Sequence, residues 1–362
     1  MRVSVVHDYV TQRGGAERVV LAMLEAFPRA PLYTSLYEPD RTFPGFREAE
    51  VIAMPMNRFA PLRRWHRLAF PLLAQAFSRL EVPGDVVVCS SSGWSHAART
   101  SGRKIVYCHT PARWLYQPDR YLRRRRGPAS AALALLRPRL LEWDRRAAAS
   151  AHRYLANSSE VGSRIRSLYG VEAEVLPPPP ALEPGPERPV AALEPGFFLC
   201  VSRLLPYKNV DAVVRAFRGL PDERLVIVGS GPEHRRLVAE AATNVRFLLS
   251  VTDEELRWLY RACAAHISAS YEDFGLTPLE AASFGRPSAV LRFGGFLDTV
   301  VEGETGAFFD EPDQDSIRAA VAEVRGRAWD EDVLRAHADR FSTTRFVQRL
   351  REIVQAEAEA AG

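Results

Sequence analysis

The chain has 362 residues, 47% apolar and 25% charged, a globular balance with room for two domains at roughly 150 residues each. No stretch approaches ~20 uncharged apolar residues, so no membrane-spanning helix is expected. The net charge of +4 hides an asymmetry: residues 1–180 carry 27 Arg and Lys against 15 Asp and Glu, and residues 181–362 carry 21 against 29. Halves of opposite sign suit two domains with different partners.

In chain order, the N-terminal MRVSVVHDYV reads as a first strand rather than a signal peptide. Val3–Val6 is followed by a turn at Thr11–Gly15 and a helix over Glu17–Phe27. Strands are expected at Asp85–Cys89, Lys104–Cys108 and Arg153–Ala156, and helices near Arg63–Arg79, Ala129–Ala149 and Glu160–Leu168. Seven prolines among the 13 residues from Pro177 to Pro189 then exclude helix and central strand and read as a stiff linker.

A second series follows the prolines. Its strands are expected at Phe197–Val201, Leu225–Val228, Val245–Leu248, Ala265–Ser268 and Pro287–Leu291, and its helices at Val210–Arg218, Pro232–Ala241, Asp253–Arg261 and Pro278–Phe284. Thr343–Ala358 closes the chain as an amphipathic helix. The division is therefore residues 1–180, a linker at 181–190, a second domain at 191–342 and a helix at 343–362 that packs back toward the first domain. The fold class is α/β, two doubly wound Rossmann-like domains facing across a cleft, with ligands at the carboxyl ends of strands. The four cysteines, Cys89, Cys108, Cys200 and Cys263, lack metal-ligand spacing and read as reduced core thiols of a cytoplasmic protein.

Chemistry concentrates in four places. Glu272-Asp-Phe-Gly275-Leu-Thr-Pro-Leu-Glu280 sets two carboxylates eight residues apart, about 12 Å along an unbroken helix. Gly275 and Pro278 argue against that helix. The spacing instead predicts Thr277 as N-cap and Glu280 as the partner in a capping box, with helix-start amides suited to a phosphate. Ser202-Arg203-Leu-Leu-Pro-Tyr-Lys208 places two cations after a strand, either a diphosphate clamp or two solvated side chains. Gly14-Gly15-Ala-Glu17 follows the first strand but is not a dinucleotide fingerprint, and neither is Gly229-Ser-Gly231. His109-Thr-Pro-Ala-Arg113-Trp114 sits where a central strand exits, and His7-Asp8-Tyr9 ends the first strand. Asp313-Gln-Asp315 reads as a helix start rather than a metal motif.

Together these motifs resemble glycosyltransferase family 4, with its GT-B fold of two Rossmann domains. The family's E-x7-E motif matches Glu272 and Glu280, its phosphate-binding Arg/Lys pair matches Arg203 and Lys208, its glycine loop matches Gly14-Gly15, and its central His matches His109. The first-half motifs resemble the subgroup containing WbaZ-type mannosyltransferases of polysaccharide assembly. One departure is Asp298 after Gly294-Gly295, where the family usually carries Glu.

The resemblance implies retaining transfer of a sugar, most simply mannose from GDP-mannose, to a glycan or a polyprenyl-pyrophosphate-linked glycan, with no metal or other cofactor. It assigns catalysis to Glu272, His109, Arg203 and Lys208. Donor binding falls to these cations with Gly14, Gly15, Leu249, Val251, Phe274, Gly275, Leu276, Thr277 and Glu280. His7, Asp8, Tyr9, Arg113 and Trp114 become acceptor-side candidates. Arg58, Arg63, Arg64 and Arg67 stand among Phe59, Leu62, Trp65, Leu68 and Phe70, and Arg123–Arg126 lies near Trp114, Tyr116 and Tyr121. Cations beside aromatics suit peripheral contact with an anionic membrane on its cytoplasmic face, and no nucleic-acid motif accompanies them. The alternatives are a UDP-sugar such as UDP-glucose as donor, or a module that binds nucleotide-sugar without turnover.

Overall fold

Apolar β-branched runs with no polar alternation belong to strands covered on both faces, and both halves of the chain use them so. The computed structural model describes residues 1–117, 128–180, 182 and 184–360, with the side chains of 67 and 128–134 excepted. It divides into two units, Met1–Pro179 with Thr343–Gly362, and Pro180–Ser342.

The first unit holds strands β1 (Val3–His7), β2 (Leu32–Thr34), β3 (Val51–Ala53), β4 (Val86–Ser91), β5 (Arg103–Cys108), β6 (Arg153–Ala156) and β7 (Ala173–Val175). They form one parallel sheet in the order β3-β2-β1-β4-β5-β6-β7. Its helices are α1 (Gly15–Ala26), α2 (Ala60–Arg64), α3 (Phe70–Arg79), α4 (Arg113–Tyr116), α5 (Pro128–Ala149), α6 (Ser159–Tyr169) and, from the end of the chain, Thr343–Glu359. That last helix buries Phe346, Val347, Leu350, Ile353 and Val354 in the same core as Val19, Val20 and Met23 of α1. Its Glu357 pairs with Arg103 at 2.7 Å and Arg153 at 3.5 Å.

The second unit holds β8 (Phe198–Val201), β9 (Leu225–Val228), β10 (Val245–Leu248), β11 (Ala265–Ser268), β12 (Ser288–Leu291) and β13 (Gly306–Phe309), parallel in the order β10-β9-β8-β11-β12-β13. Around it lie α7 (Val210–Arg218), α8 (His234–Glu240), α9 (Asp253–Ala262), α10 (Leu276–Ser283), α11 (Phe296–Thr299), α12 (Gln314–Gly326) and α13 (Glu331–Asp339); Thr343–Glu359 is α14. The proline-rich segment is seated on this unit. Leu182 is buried among Phe197 and Leu199, and the Arg188 amide donates to Glu254 O at 3.1 Å.

The expected helix over Arg63–Arg79 is broken. α2 stops at Arg64, a 3-10 turn covers His66–Ala69, and Pro71 falls in the first turn of α3. Proline fits there because an N-terminal amide has no helical partner to lose. All four cysteines are buried, and among the described residues none is in a disulfide. Burial pushes the Cys89, Cys200 and Cys263 thiols up to about 12.

Each sheet reverses its strand order once, between β1 and β4 and between β8 and β11. Crevices at the carboxyl ends of such strand pairs are where open α/β sheets place ligands.

Candidate active site

In the second unit, the loop leaving β8 carries Arg203 and Lys208, and the loop leaving β11 carries Glu272. Lys208 Nζ and Glu272 Oε1 form a tight ion pair, their side chains 10% and 25% exposed. Neighbouring bonds fix the pair. The Lys208 carbonyl accepts from Ser270 Oγ at 3.3 Å, and Asn209 Nδ2 donates to Ala269 O at 2.8 Å. Arg203 is exposed, with Nη2 3.4 Å from the Tyr207 hydroxyl. One mostly buried cation and one exposed fork thus flank the switch point, an arrangement that can neutralise an anion with more than one phosphate.

The start of α10 differs from the expected capping box. Thr277 does not cap the helix; the N-cap is Gly275, in the left-handed region at φ +87, with no side-chain cap. A Cβ on Gly275 would come within 2.5 Å of the Phe296 ring. Glycine therefore meets two demands here, backbone conformation and close packing. Gly295 has a similar constraint from the other side: its Cβ would meet the Phe274 backbone at 2.1 Å, and its amide donates to Glu272 O at 3.1 Å. The glycine pair thus holds the Glu272 loop in place. Leu276 and Thr277 open the helix, their amides among the unpaired donors of its first turn.

Glu280 lies one turn further and is buried at 6% exposure. The Tyr260 hydroxyl of α9 donates to its carboxylate at 2.6 Å. Burial, and then the Glu280 charge, hold the Tyr260 phenol well above its ordinary range, so it stays a donor. Of the other expected donor residues, Leu249 is exposed, Val251 is half-buried and Phe274 is buried with its ring 6.2 Å from Phe341. Asp313 caps α12, accepting from the Asp315 and Ser316 amides at 2.9 Å each.

In the first unit, His7 ends β1 and Ser90 lies in β4, across the switch point. His7 Nδ1 is 3.1 Å from Ser90 O and 3.0 Å from Ser90 Oγ, and Ser90 Oγ is 2.8 Å from His109 Nε2. A carbonyl only accepts, so His7 carries its proton on Nδ1. The serine hydroxyl then donates to His109 Nε2, which assigns the His109 proton to Nδ1. Burial, and next His7, lower the His109 pKa to about 3, so the ring is neutral near pH 7. The His109 backbone is also pinned, its carbonyl accepting from Asn157 Nδ2 at 2.9 Å. A neutral imidazole in this tautomer has one N–H, on Nδ1, to donate.

The remaining first-unit candidates have mixed placements. Asp8 is buried, its two oxygens accepting from the Ser92 and Ser95 amides at 2.8 and 2.7 Å. Trp114 is buried and stacked on Trp94 at 4.5 Å. Tyr9 stacks on His66 at 4.5 Å, and Arg113, half-buried, begins α4. Gly14 caps α1 in extended backbone that any residue adopts, and Gly15 is the first helical residue. Tyr121 and Arg123–Arg126 lie outside the described residues. Sequence reasoning passed over Ser90 and Tyr260, and it named Gly295 only in the glycine pair before Asp298, not for its packing on the Glu272 loop. A serine inside a strand, a helical tyrosine and a second glycine carry no local signature; only strand order and packing give them meaning.

Two family models match the chain, one described as Glycosyltransferase Family 4 over residues 13–183 and one as Glycosyl transferases group 1 over residues 186–325. A GDP-mannose-dependent alpha-(1-6)-phosphatidylinositol monomannoside mannosyltransferase of Mycolicibacterium smegmatis is 31% identical over 255 residues, 64% of this chain and 58% of that one. The chain spans about half the length of the curated relatives it matches. Among solved structures, Anabaena HepE in complex with UDP-glucose matches with a TM-score of 0.70 at 17% identity, covering 98% of this chain and 100% of that one. Sucrose-phosphate synthase from Thermosynechococcus elongatus matches at 0.73 and 17%, covering 99% and 100%. At that identity the likeness is one of fold, the GT-B pairing of two Rossmann-like domains.

Proposed function

The chain belongs to glycosyltransferase family 4, and from that premise we propose that it moves a hexosyl group from a nucleotide diphosphate sugar to a glycan or lipid-linked glycan. The observation that carries this reading is the Lys208–Glu272 ion pair at the second sheet's switch point, beside Arg203 and the start of α10. As the glycosidic bond breaks, the departing diphosphate gains negative charge. Fixed cations and helix-start amides stabilise that charge most where it is greatest, in the transition state.

In this reading the diphosphate displaces Glu272 as partner of Lys208. Glu272 is then free to accept hydrogen bonds from the transferred sugar. Arg203 and the Leu276 and Thr277 amides take the remaining phosphate oxygens. Glu280, aimed by Tyr260, accepts from the ribose hydroxyls. His109 donates through Nδ1 to a sugar hydroxyl. The acceptor attacks on the face the diphosphate leaves, the diphosphate takes its proton, and the anomeric configuration is retained. Glu272 is thus given the sugar hydroxyls to bind and not the part of a covalent nucleophile. Charge neutralisation by Arg203 and Lys208 makes the proposed reaction metal-independent.

GDP-mannose is the donor favoured, supported by the named activity of the mycobacterial relative. The UDP-glucose in the HepE structure keeps a UDP-sugar as the second reading. Acceptor contacts are assigned to the first unit, around His7, Tyr9 and Arg113, with polysaccharide assembly as the setting and peripheral attachment to an anionic membrane. Among the described residues no helix is long and apolar enough to cross one.

The test is slow hydrolysis, without acceptor, of GDP-mannose, GDP-glucose, UDP-glucose and UDP-galactose, with the released anomer read by proton NMR. Turnover of one donor with release of the α-anomer supports the reading. Tight nucleotide-sugar binding with no turnover of any donor, with or without acceptor glycans, assigns the chain to a binding module instead.

A further inference from the structure

Asp144, near the end of α5, is a fully buried carboxylate. Its Oδ2 accepts from two phenol hydroxyls, Tyr116 of α4 at 2.7 Å and Tyr169 at the end of α6 at 2.8 Å. Its Oδ1 lies 3.1 Å from His96 Nε2. A carboxylate taken out of water needs partners that replace its lost solvation, and here they come from three separate segments of the chain. Burial, and then the Asp144 charge, raise both phenols above their ordinary range, so both remain donors.

His96 carries the connection further. Its Nδ1 is 3.1 Å from Ser91 Oγ, which also accepts from the Gly93 amide at 3.1 Å, and the Ser91 carbonyl accepts from the His109 amide at 2.9 Å. The segment from His109 to Tyr116 is therefore linked to Asp144 at both ends. Between those ends stands α4, a single turn of four residues. A helix that short has no stability of its own, because its few bonds do not repay nucleation. Its place is set by what holds it. Trp114 stacks on Trp94 at 4.5 Å, Arg137 Nε of α5 donates to the Leu115 carbonyl at 2.9 Å, and Tyr116 reaches Asp144.

We propose that Asp144 is a positioning residue for the acceptor side: by anchoring the Tyr116 hydroxyl it fixes α4 against α5 and so sets where Arg113, the first residue of α4, meets the acceptor. The inference rests on the assignment of Arg113 to the acceptor and is independent of the donor. His109 has its own support in Ser90 and Asn157, so the effect of Asp144 is read at Arg113.

Tyr169 supplies a control within the same molecule. Its hydroxyl donates to the same carboxylate oxygen at nearly the same distance as Tyr116, but it anchors the end of α6, which carries no residue assigned to donor or acceptor. A role confined to holding the core makes the two hydroxyls equivalent. A positioning role separates them.

The test compares the full-length wild type with Tyr116→Phe and Tyr169→Phe, each of which loses one hydroxyl and keeps its ring, so that neither depends on a variant of Asp144 itself folding. Hydrogen exchange is read at residues 115–117, whose amides donate to the Ala112 and Arg113 carbonyls. It is expected to rise about tenfold in Tyr116→Phe and to stay at the wild-type rate in Tyr169→Phe, with both variants melting slightly and equally lower. Transfer to octyl α-mannoside as a probe acceptor gives the kinetic reading. Tyr116→Phe should raise acceptor KM about tenfold with kcat within about twofold, and Tyr169→Phe should match the wild type. In an Arg113→Ala background Tyr116→Phe should cost less than about twofold more, because the two act through one contact. Equal effects of the two phenylalanine variants on exchange or on KM, or full additivity with Arg113→Ala, overturn the inference and leave Asp144 a core residue only. Where the probe is not used as an acceptor, the exchange pattern decides alone. Donor hydrolysis without acceptor, on the same samples, reads the proposed function by itself: a wild type that turns over no donor refutes that function, while the exchange pattern still settles whether Asp144 sets α4.

Discussion

Lys208 and Glu272, 64 residues apart in sequence, are joined in an ion pair because β8 and β11 are neighbours in the second sheet and each sends its next loop to the same crevice. Lys208→Ala should lower kcat/KM for the nucleotide sugar on the order of a hundredfold to a thousandfold, the range for losing one preorganised charge at a transition state. Lys208→Arg should recover part of it. Glu272 keeps some solvent access, so the melting temperature should fall only a few degrees. Donor-saturation kinetics and thermal unfolding on the same preparations check both statements.

Ser90 orients His109 and touches no ligand in this account. Ser90→Ala should lower kcat about tenfold, a loss of ~1.4 kcal/mol, with little change in donor KM. Ser90→Thr, which keeps the hydroxyl, should restore much of it. Nitrogen-15 chemical shifts of the imidazole should report the Nδ1–H tautomer in the wild type and a tautomer mixture in Ser90→Ala. An alanine variant with wild-type kinetics and an unchanged tautomer would remove the serine from the mechanism.

Tyr260 holds Glu280 from behind. Tyr260→Phe should raise donor KM and the nucleoside diphosphate Kd by about tenfold, the scale of a hydrogen bond to a charged group, while kcat stays near wild type. A fall in kcat with constant KM would place Glu280 in the chemical step instead.

Much of the plan was legible in the sequence. The runs at Leu225–Val228 and Ala265–Ser268 are strands with the expected ends; the first is uniformly apolar, as short buried parallel strands usually are, and the second buries His266 and Ser268 beside its apolar residues. Three-residue strands such as Leu32–Thr34 give no period to read, and Gly306–Phe309 opens on a glycine. Cations after β8 and carboxylates after β11 could be picked out as motifs; their meeting could not, since it follows from strand order. The Thr277 capping box failed for a local reason. A glycine in the left-handed region at 275 starts the helix two residues early, and Glu280 faces Tyr260 rather than its own helix start.

His266 and His109 are held neutral by burial, each lowered to about 3. The unfolded chain takes up a proton at each as pH falls through about 6.5, and the folded chain does not. The stability they allow is complete above that pH and is lost as pH falls toward 3, by up to ~1.4 kcal/mol per pH unit for each ring. Urea midpoints should therefore drop between pH 7 and pH 5. The drop should be smaller in His266→Asn, where one of the two rings is gone. An equal drop in both proteins would show that His266 does not contribute.

Calorimetric titration with GDP, GMP, UDP and UMP, on the wild type and on Lys208→Ala, tests most directly whether the second unit is built to hold a diphosphate. For one base the diphosphate should bind the wild type at least tenfold more tightly than the monophosphate, and Lys208→Ala should remove most of that difference. Equal affinity for diphosphate and monophosphate in the wild type, or a preference that survives Lys208→Ala intact, would contradict it.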